Sequence, residues 1–399
     1  MRVLICGVDG YLGWPLALHL LGRGHDVGGV DAFFRRQWVA DVGGHSAIPI
    51  PTMEERLAHL GRSSGTALWF REGDLTDSAF VRRTIAEFRP EAVVQLAECP
   101  SAPYSMMSVE HAVRVQVNNI AGTTHLLYAI QQEAPGAHLV KLGTMGEYGT
   151  PPIDIPEGFF DVEFRGRKAR LPFPRQAGSW YHWSKVHGSN NVMFACQLLG
   201  LRATDIMQGV VFGCRTAEIG EAPERATRLD FDEAFGTVVN RMCCQAVIGH
   251  PLTLYGEGHQ KRGFIPLTES IECMRLAIEN PPAAGEYRVF NQFDLVLDLT
   301  DLAETIRSVG RDLGLEVRIC HLENPRRELE AHRYQPDREG LLKLGFSPTG
   351  DVAGEIRSML VDLGRYRDRV ELKSDQMIPH VRWDGRRQRV SVLDARSEG

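Results

Sequence analysis

A short apolar run, RVLIC at residues 2–6, leads directly into Gly7-Val8-Asp9-Gly10-Tyr11-Leu12-Gly13 and then into a stretch of helical periodicity, YLGWPLALHLLGRG. Three glycines at this spacing between a strand and a helix restrict the fold more than any other feature of the chain. Gly7 permits a tight turn, Gly10 lets the backbone approach a pyrophosphate, and Gly13 allows the helix to pack closely on a sheet. A second strand pattern, HDVGGVD, ends in Asp31 and completes a βαβ unit. Taken alone, the glycines are a weak signal that a purely structural turn explains in a minority of α/β chains, and the surrounding residues decide between the two readings.

Further strand patterns occur at ALWFREGD, EAVVQLA, HLVKLGT and RATDIMQGVV, with helical stretches at about 78–88, 109–134 and 181–199 between them. Such alternation predicts an α/β fold with a parallel sheet covered on both faces. Residues 154–174 break the rhythm and read as a hairpin turning at Gly166. The spacing places the sheet domain over 1–208. A long surface loop, RTAEIGEAPERATRLDFDEAFG, opens a smaller substrate-binding domain over about 209–385, from which the chain returns to the sheet, and 386–399 read as a tail.

A formal charge of −6 with dispersed basic residues gives no electrostatic reason to bind nucleic acid or an anionic membrane. The eight cysteines show neither CxxC pairs nor metal-ligand spacing, so no metal is expected and reduced thiols are the natural reading. The apolar N-terminal stretch is too short and too interrupted by glycine and Asp9 for a signal peptide, and no run approaches the roughly 20 apolar residues of a membrane span. A cytoplasmic protein is expected.

Asp31 at the end of the second strand is placed to bind both adenosine ribose hydroxyls and to repel a 2′-phosphate, which favours NAD. Arg35 and Arg36 lie just beyond, where an arginine can instead hold that phosphate, contact substrate phosphate or simply face solvent. In GSWYHWSKVHGS, Tyr181 and Lys185 stand four apart and share a helical face. The ammonium would lower the phenol's pKa and bind the nicotinamide ribose, the phenol would take a hydroxyl proton, and Thr144, at the C-terminal end of HLVKLGT, would meet them from the sheet.

These features resemble the extended short-chain dehydrogenase/reductase (NAD-dependent epimerase/dehydratase) family. The segments SAPYSM, KLGTMGEYGTPPIDIPEG, YHWSKVHGSNN, RATDIMQGVVFG, HPLTLYGEG and EYRVFNQF look like its UDP-sulfoquinovose synthase group from residue 1 to about 385. The resemblance implies a doubly wound Rossmann domain with a smaller C-terminal substrate-binding domain, bound NAD, and a homodimer joined near 109–134 and 181–199. It implies oxidation of a sugar C4 hydroxyl, elimination of the C6 hydroxyl, addition of sulfite and return of the hydride. By position, Thr144, Tyr181 and Lys185 carry the redox step, with Glu147 either taking the C5 proton or assisting hydroxyl departure, or else a salt-bridged loop carboxylate, and His182 as a weaker acid–base candidate. Gly7, Asp9, Gly10, Tyr11, Leu12, Gly13, Asp31, Arg35, Arg36, Asp74, Leu75, Leu96, Ala97 and Asn119 are carried over as cofactor contacts. Cys99, Pro100, Ser101, Met145, Gln208, Arg262 and Arg326 are carried over as substrate contacts.

Three departures stand against the group pattern. AECPSAPYSM replaces GEQRSAPYSM, so that Cys99 and Pro100 stand where a polar residue and an arginine are usual. RGFIPLTE replaces RGYLDIRD after Arg262, and residues 37–48 differ from the usual loop. A missing arginine removes a natural anion contact. The sequence is therefore read first as an NAD-dependent dehydratase of a nucleotide sugar or nucleoside that stops at the unsaturated sugar. A UDP-sulfoquinovose synthase using UDP-glucose and sulfite is the alternative, and a 4-epimerase a third reading. A non-catalytic NAD sensor has no need of a proton-transfer phenol.

Overall fold

The computed structural model describes residues 1–65, 67–329, 332–384 and 390–393. Fourteen strands are defined among them: β1 (Arg2–Cys6), β2 (Asp26–Asp31), β3 (Trp69–Glu72), β4 (Ala92–Gln95), β5 (His138–Thr144), β6 (Phe159–Phe164), β7 (Arg167–Pro172), β8 (Arg202–Gln208), β9 (Val210–Phe212), β10 (Leu252–Tyr255), β11 (Lys261–Pro266), β12 (Tyr287–Gln292), β13 (Leu295–Asp298) and β14 (Ile319–Leu322). Seven of them form the central sheet in the order β12-β8-β5-β4-β1-β2-β3, with every pairing parallel. Val3, Leu4 and Ile5 of β1 are wholly buried, which explains why RVLIC is apolar without alternation: helices cover both faces of the strand.

The order reverses at β1. The chain winds outward through β2 and β3, then crosses back to place β4 on the other side of β1 (Val3 opposite Ala92). In open α/β sheets the crevice beyond the strand ends at such a reversal is where ligands bind. One apolar cluster lies on the sheet face carrying Trp14, Leu16 and Ile271, and another on the face carrying Leu4, Ile85 and Leu126. A third, built mainly from residues beyond 211 (Phe212, Met242, Ile306, Leu360), forms the core of the C-terminal part. The chain does return to the central sheet, as β12.

Residues 154–174 contain the expected hairpin. Arg165 and Gly166 are both left-handed (φ 51° and 75°), the conformation of a two-residue hairpin turn, and Phe164 pairs with Arg167. The helical stretch 109–134 is interrupted by a π-helical turn at Val117–Ala121. One expectation needs correction. The segment 215–236 is largely irregular, but it is not a surface loop: Thr227, Arg228, Leu229, Asp230 and Phe231 are buried. The tail at 386–399 lies outside the described residues except for 390–393, where Val390 is buried and Val392 bridges to Leu322.

Candidate active site

A cleft of about 560 Å³ opens beyond the C-terminal ends of β1, β2, β4 and β5. At its floor Gly7 has φ 92°, and a Cβ there would lie 2.7 Å from the Ala97 backbone N, so the turn excludes any other residue. A Cβ on Gly13 would fall 2.1 Å from Gly7 O, which is the close helix–strand approach inferred from the glycine spacing. The helix Gly13–Gly22 begins at Leu12 without a side-chain cap and without an acidic residue in its first turn. Its first amides are left for an anion, and Gly10, Tyr11, Leu12 and Gly13 line the cleft there.

Asp31 ends β2 and lines the cleft. Its two carboxylate oxygens accept the backbone N–H groups of Asp9 (2.8 Å) and Phe33 (2.7 Å). Burial, reinforced by the Asp9 charge, pushes its pKa up to about 6. A carboxylate kept at this expense and facing a cleft is suited to accept ligand hydroxyls. Asp74, Leu75, Leu96 and Ala97 also line the cleft.

The two arginines beyond Asp31 are already engaged. Arg36 donates to both oxygens of Asp9 at 2.7 Å and to Pro51 O at 2.6 Å, and it does not line the cleft. Arg35 lines the cleft but pairs with Asp230 at 2.7 Å and stacks on Phe235. With Arg36 held by Asp9 and Arg35 by Asp230, the donor set fits NAD better than its 2′-phosphorylated counterpart. Arg36 is thus corrected from a cofactor contact to a structural residue.

Thr144, Met145, Tyr181, His182 and Lys185 come together at the other end of the cleft. Thr144 ends β5, and the helix Trp180–Leu199, capped by Ser179, presents the other three polar groups. Burial, followed by the Glu98 carboxylate, pushes the Tyr181 phenol far up from its ordinary value. Lys185 is ion-paired with Glu98. The expectation that Lys185 makes the phenol more acidic therefore needs correction, because a carboxylate offsets the ammonium. His182 is lowered to about 3 by burial and by Arg326, Arg262 and Lys185, so it stays neutral. A Cβ on Gly146 would stand 2.4 Å from His182 Nε2, and the glycine makes room for that imidazole.

Four further residues are placed away from the cleft. Glu147 is wholly buried and does not line the cleft: Oε2 accepts from Arg175 at 2.7 Å, and Oε1 from Ser189 at 3.3 Å and from the Thr144 backbone N–H at 3.4 Å. Asn119 is fully buried and clamps the loop after β4 through Cys99 N (2.8 Å) and Ser184 Oγ (2.8 Å), while Asn118 lines the cleft. Cys99 is consequently buried too, and Ser101 caps the short helix Ala102–Ser105. Pro100 does line the cleft, as do Gln208, Arg262 and Arg326. Arg262 pairs with Glu328 at 2.6 Å, whereas Arg326 stacks against Tyr255 and Trp383 without a carboxylate partner among the described residues.

The sequence reading missed Glu98, Asp230 and Trp383. Glu98 was open to inference, being a lone carboxylate beside Leu96 and Ala97. Asp230 and Trp383 are far from any motif and reach the site only through tertiary folding.

Residues 3–291 match the model of the NAD dependent epimerase/dehydratase family. The chain belongs to this family. As a family member it takes NAD as cofactor, and the uncapped helix, the glycine turn and Asp31 fit that molecule. The chain is 45% identical to a UDP-sulfoquinovose synthase of Sulfolobus acidocaldarius over 96% of its own length and 98% of that protein's. It is 44% identical to the chloroplastic UDP-sulfoquinovose synthase of Spinacia oleracea over 96% of its own length and 79% of that protein's. Among solved structures, the UDP-glucuronic acid 4-epimerase of Bacillus cereus superposes with a TM-score of 0.68 at 18% identity, covering 92% of this chain and 99% of that one. That likeness shows the epimerase/dehydratase fold alone.

Proposed function

We propose that this epimerase/dehydratase-family protein is a UDP-sulfoquinovose synthase, joining sulfite to C6 of a UDP-hexose with loss of the C6 hydroxyl. The observation that carries the reading is 44–45% identity to two synthases over 96% of this chain, and the cleft brings Thr144, Tyr181 and Lys185 together. Bound NAD supplies a hydride acceptor that oxidises the C4 carbinol and later restores it. Tyr181 takes the C4 hydroxyl proton, Thr144 orients that hydroxyl from the end of β5, and Lys185 holds ribose hydroxyls. The C4 ketone acidifies the C5 proton, so that this proton and the C6 hydroxyl leave as water; sulfite then adds at C6 as C5 regains a proton, and the hydride returns to C4.

His182 is suited to assist that departure as a neutral hydrogen-bond donor. Ser179 Oγ accepts the His182 backbone N–H and lies 2.9 Å from Nδ1. Donation from the hydroxyl to Nδ1 leaves the imidazole hydrogen on Nε2, toward the cleft. Sulfite needs a cation, and Arg326, stacked on Tyr255 and Trp383 and free of a carboxylate among the described residues, is the group we assign to it.

A second reading, a dehydratase that ends at the unsaturated sugar, is favoured by Pro100, which lines the cleft without charge or donor where the group carries arginine. Incubation with UDP-glucose, with and without labelled sulfite, separates the two.

A homodimer is part of the proposal. Val109, Val113 and Val117 lie one turn apart and exposed, beside the helix Trp180–Leu199, which exposes Trp183, Phe194 and Leu198. A surface of this kind is normally covered. No helix among the described residues is long and apolar enough to cross a membrane, and eight unpaired cysteines suit the cytoplasm.

A further inference from the structure

Lys185 does not stand alone beside Tyr181. Its Nζ pairs with Glu98 Oε2 and donates to Leu142 O at 2.7 Å. Both side chains are nearly sealed from solvent, at 4% exposure for Lys185 and 2% for Glu98. Glu98 lies three residues past β4, on the loop that carries Leu96 and Ala97, and it lines the cleft. Its second oxygen, Oε1, is buried without a hydrogen-bond partner among the described residues. Among the described residues Lys185 is the carboxylate's side-chain donor, so its charge is balanced by that ammonium.

The charged and titratable groups around Tyr181 come from several elements. Lys185 and His182 share its helix, with Lys185 Nζ 5.9 Å from the phenol ring centroid. Glu98 and Cys99 face it from the loop after β4, Lys141 from β5, and Glu147 from the turn beyond β5. Most of these are already neutral or compensated. The Cys99 thiol is pushed up to about 12 by burial, and His182 is uncharged. Glu147 is held by Arg175, and Lys141 lies 3.6 Å from Asp205. The pair next to the phenol is Glu98 with Lys185.

We propose that Glu98 is a positioning residue: as the buried counter-ion of Lys185 it fixes the ammonium in the cleft and, with it, sets the protonation state of Tyr181. Lys185 alone would favour the phenolate, and Glu98, by offsetting the ammonium, raises the pH at which Tyr181 loses its proton and can act as the base. The proposal rests on the redox role given to Tyr181 above, but its test needs no turnover.

A fluorinated tyrosine at position 181, followed by fluorine NMR across a pH series, reads the phenol's titration directly, since ring fluorination brings it into a range where the fold survives. Glu98→Gln removes the charge at constant shape and is expected to lower the midpoint by about one pH unit or more, roughly tenfold more phenolate at a given pH. Glu98→Asp retains the charge and should keep the midpoint near that of the parent. Lys185→Met leaves Glu98 uncompensated and should raise it. An unchanged midpoint in folded Glu98→Gln, or a fall in Lys185→Met, would overturn the proposal. Either variant decides it if the other fails to fold. In the native-tyrosine enzyme, the acidic limb of the pH–rate profile should move down with Glu98→Gln, whereas a merely structural role would reduce the rate without moving the limb. Because the NMR titration is made without sugar, its failure leaves the synthase reading untouched, and absence of sugar chemistry leaves the titration valid.

Discussion

Glu147 and Arg175 form a buried ion pair, 2.7 Å between Oε2 and Nη1, while Glu147 Oε1 accepts the backbone N–H of Thr144 at 3.4 Å. Glu147→Gln leaves the guanidinium uncompensated, and breaking such a pair costs about 3–5 kcal/mol. Denaturant unfolding should show a loss of that order, with much of it restored in the double variant Glu147→Gln/Arg175→Met. Folded Glu147→Gln should keep kcat within about tenfold of the parent. A loss near the 10²–10⁴-fold typical of a proton-transfer group would return the carboxylate to the chemistry.

Asp31 gives a pH-dependent prediction. Its folded pKa, about 6, lies above the ordinary carboxylate value of 3.8, so the folded state holds this proton more tightly than the unfolded chain. The ionised carboxylate therefore costs stability, absent below about pH 4, growing between pH 4 and 6 and complete above it, at up to about 3 kcal/mol. Asp31→Asn should melt higher relative to the parent at pH 8 than at pH 4, while calorimetry shows NAD binding weakened by roughly ten- to a hundredfold from the lost charged hydrogen bonds. A stability difference that shrinks as pH rises would contradict this assignment.

Tyr181→Phe removes one hydroxyl from a buried site. Turnover should fall by about 10²–10⁴-fold while NAD affinity, read by fluorescence quenching, stays within a few-fold. Lys185→Ala should damage both, because it also strands Glu98.

How far the sequence reaches is visible in particular residues. The turn at Gly7, the hairpin at Gly166, the parallel strands and the grouping of Thr144, Tyr181 and Lys185 follow from local spacing and alternation, which act within a few residues. Glu147 was misjudged because a position one turn past Thr144 does not say which way a side chain points; Arg175, 28 residues on, decides that. Arg36 and Asn119 read as cofactor contacts for the same reason, since sequence spacing does not show that Asp9 and Cys99 engage them. The buried course of 227–236 was hidden by a polar composition whose charges are paired internally, as Arg228 is with Asp230.

The exposed valines and aromatics make the dimer testable. Val113→Glu combined with Phe194→Glu places charge on both helices of the apolar face and touches no cleft residue. Light scattering at micromolar concentration should give twice the chain mass for the parent and a single chain mass for the variant. A monomeric parent would contradict the proposed interface.

The most direct test of the central claim is incubation of the NAD-loaded protein with UDP-glucose and isotopically labelled sulfite, followed by mass spectrometry of the nucleotide sugars. The account predicts a labelled UDP-sugar sulfonate that forms only with sulfite and is lost in Arg326→Met. Accumulation of an unsaturated, sulfur-free nucleotide sugar in the presence of sulfite would contradict it and place the chain among dehydratases that stop before the sulfur step.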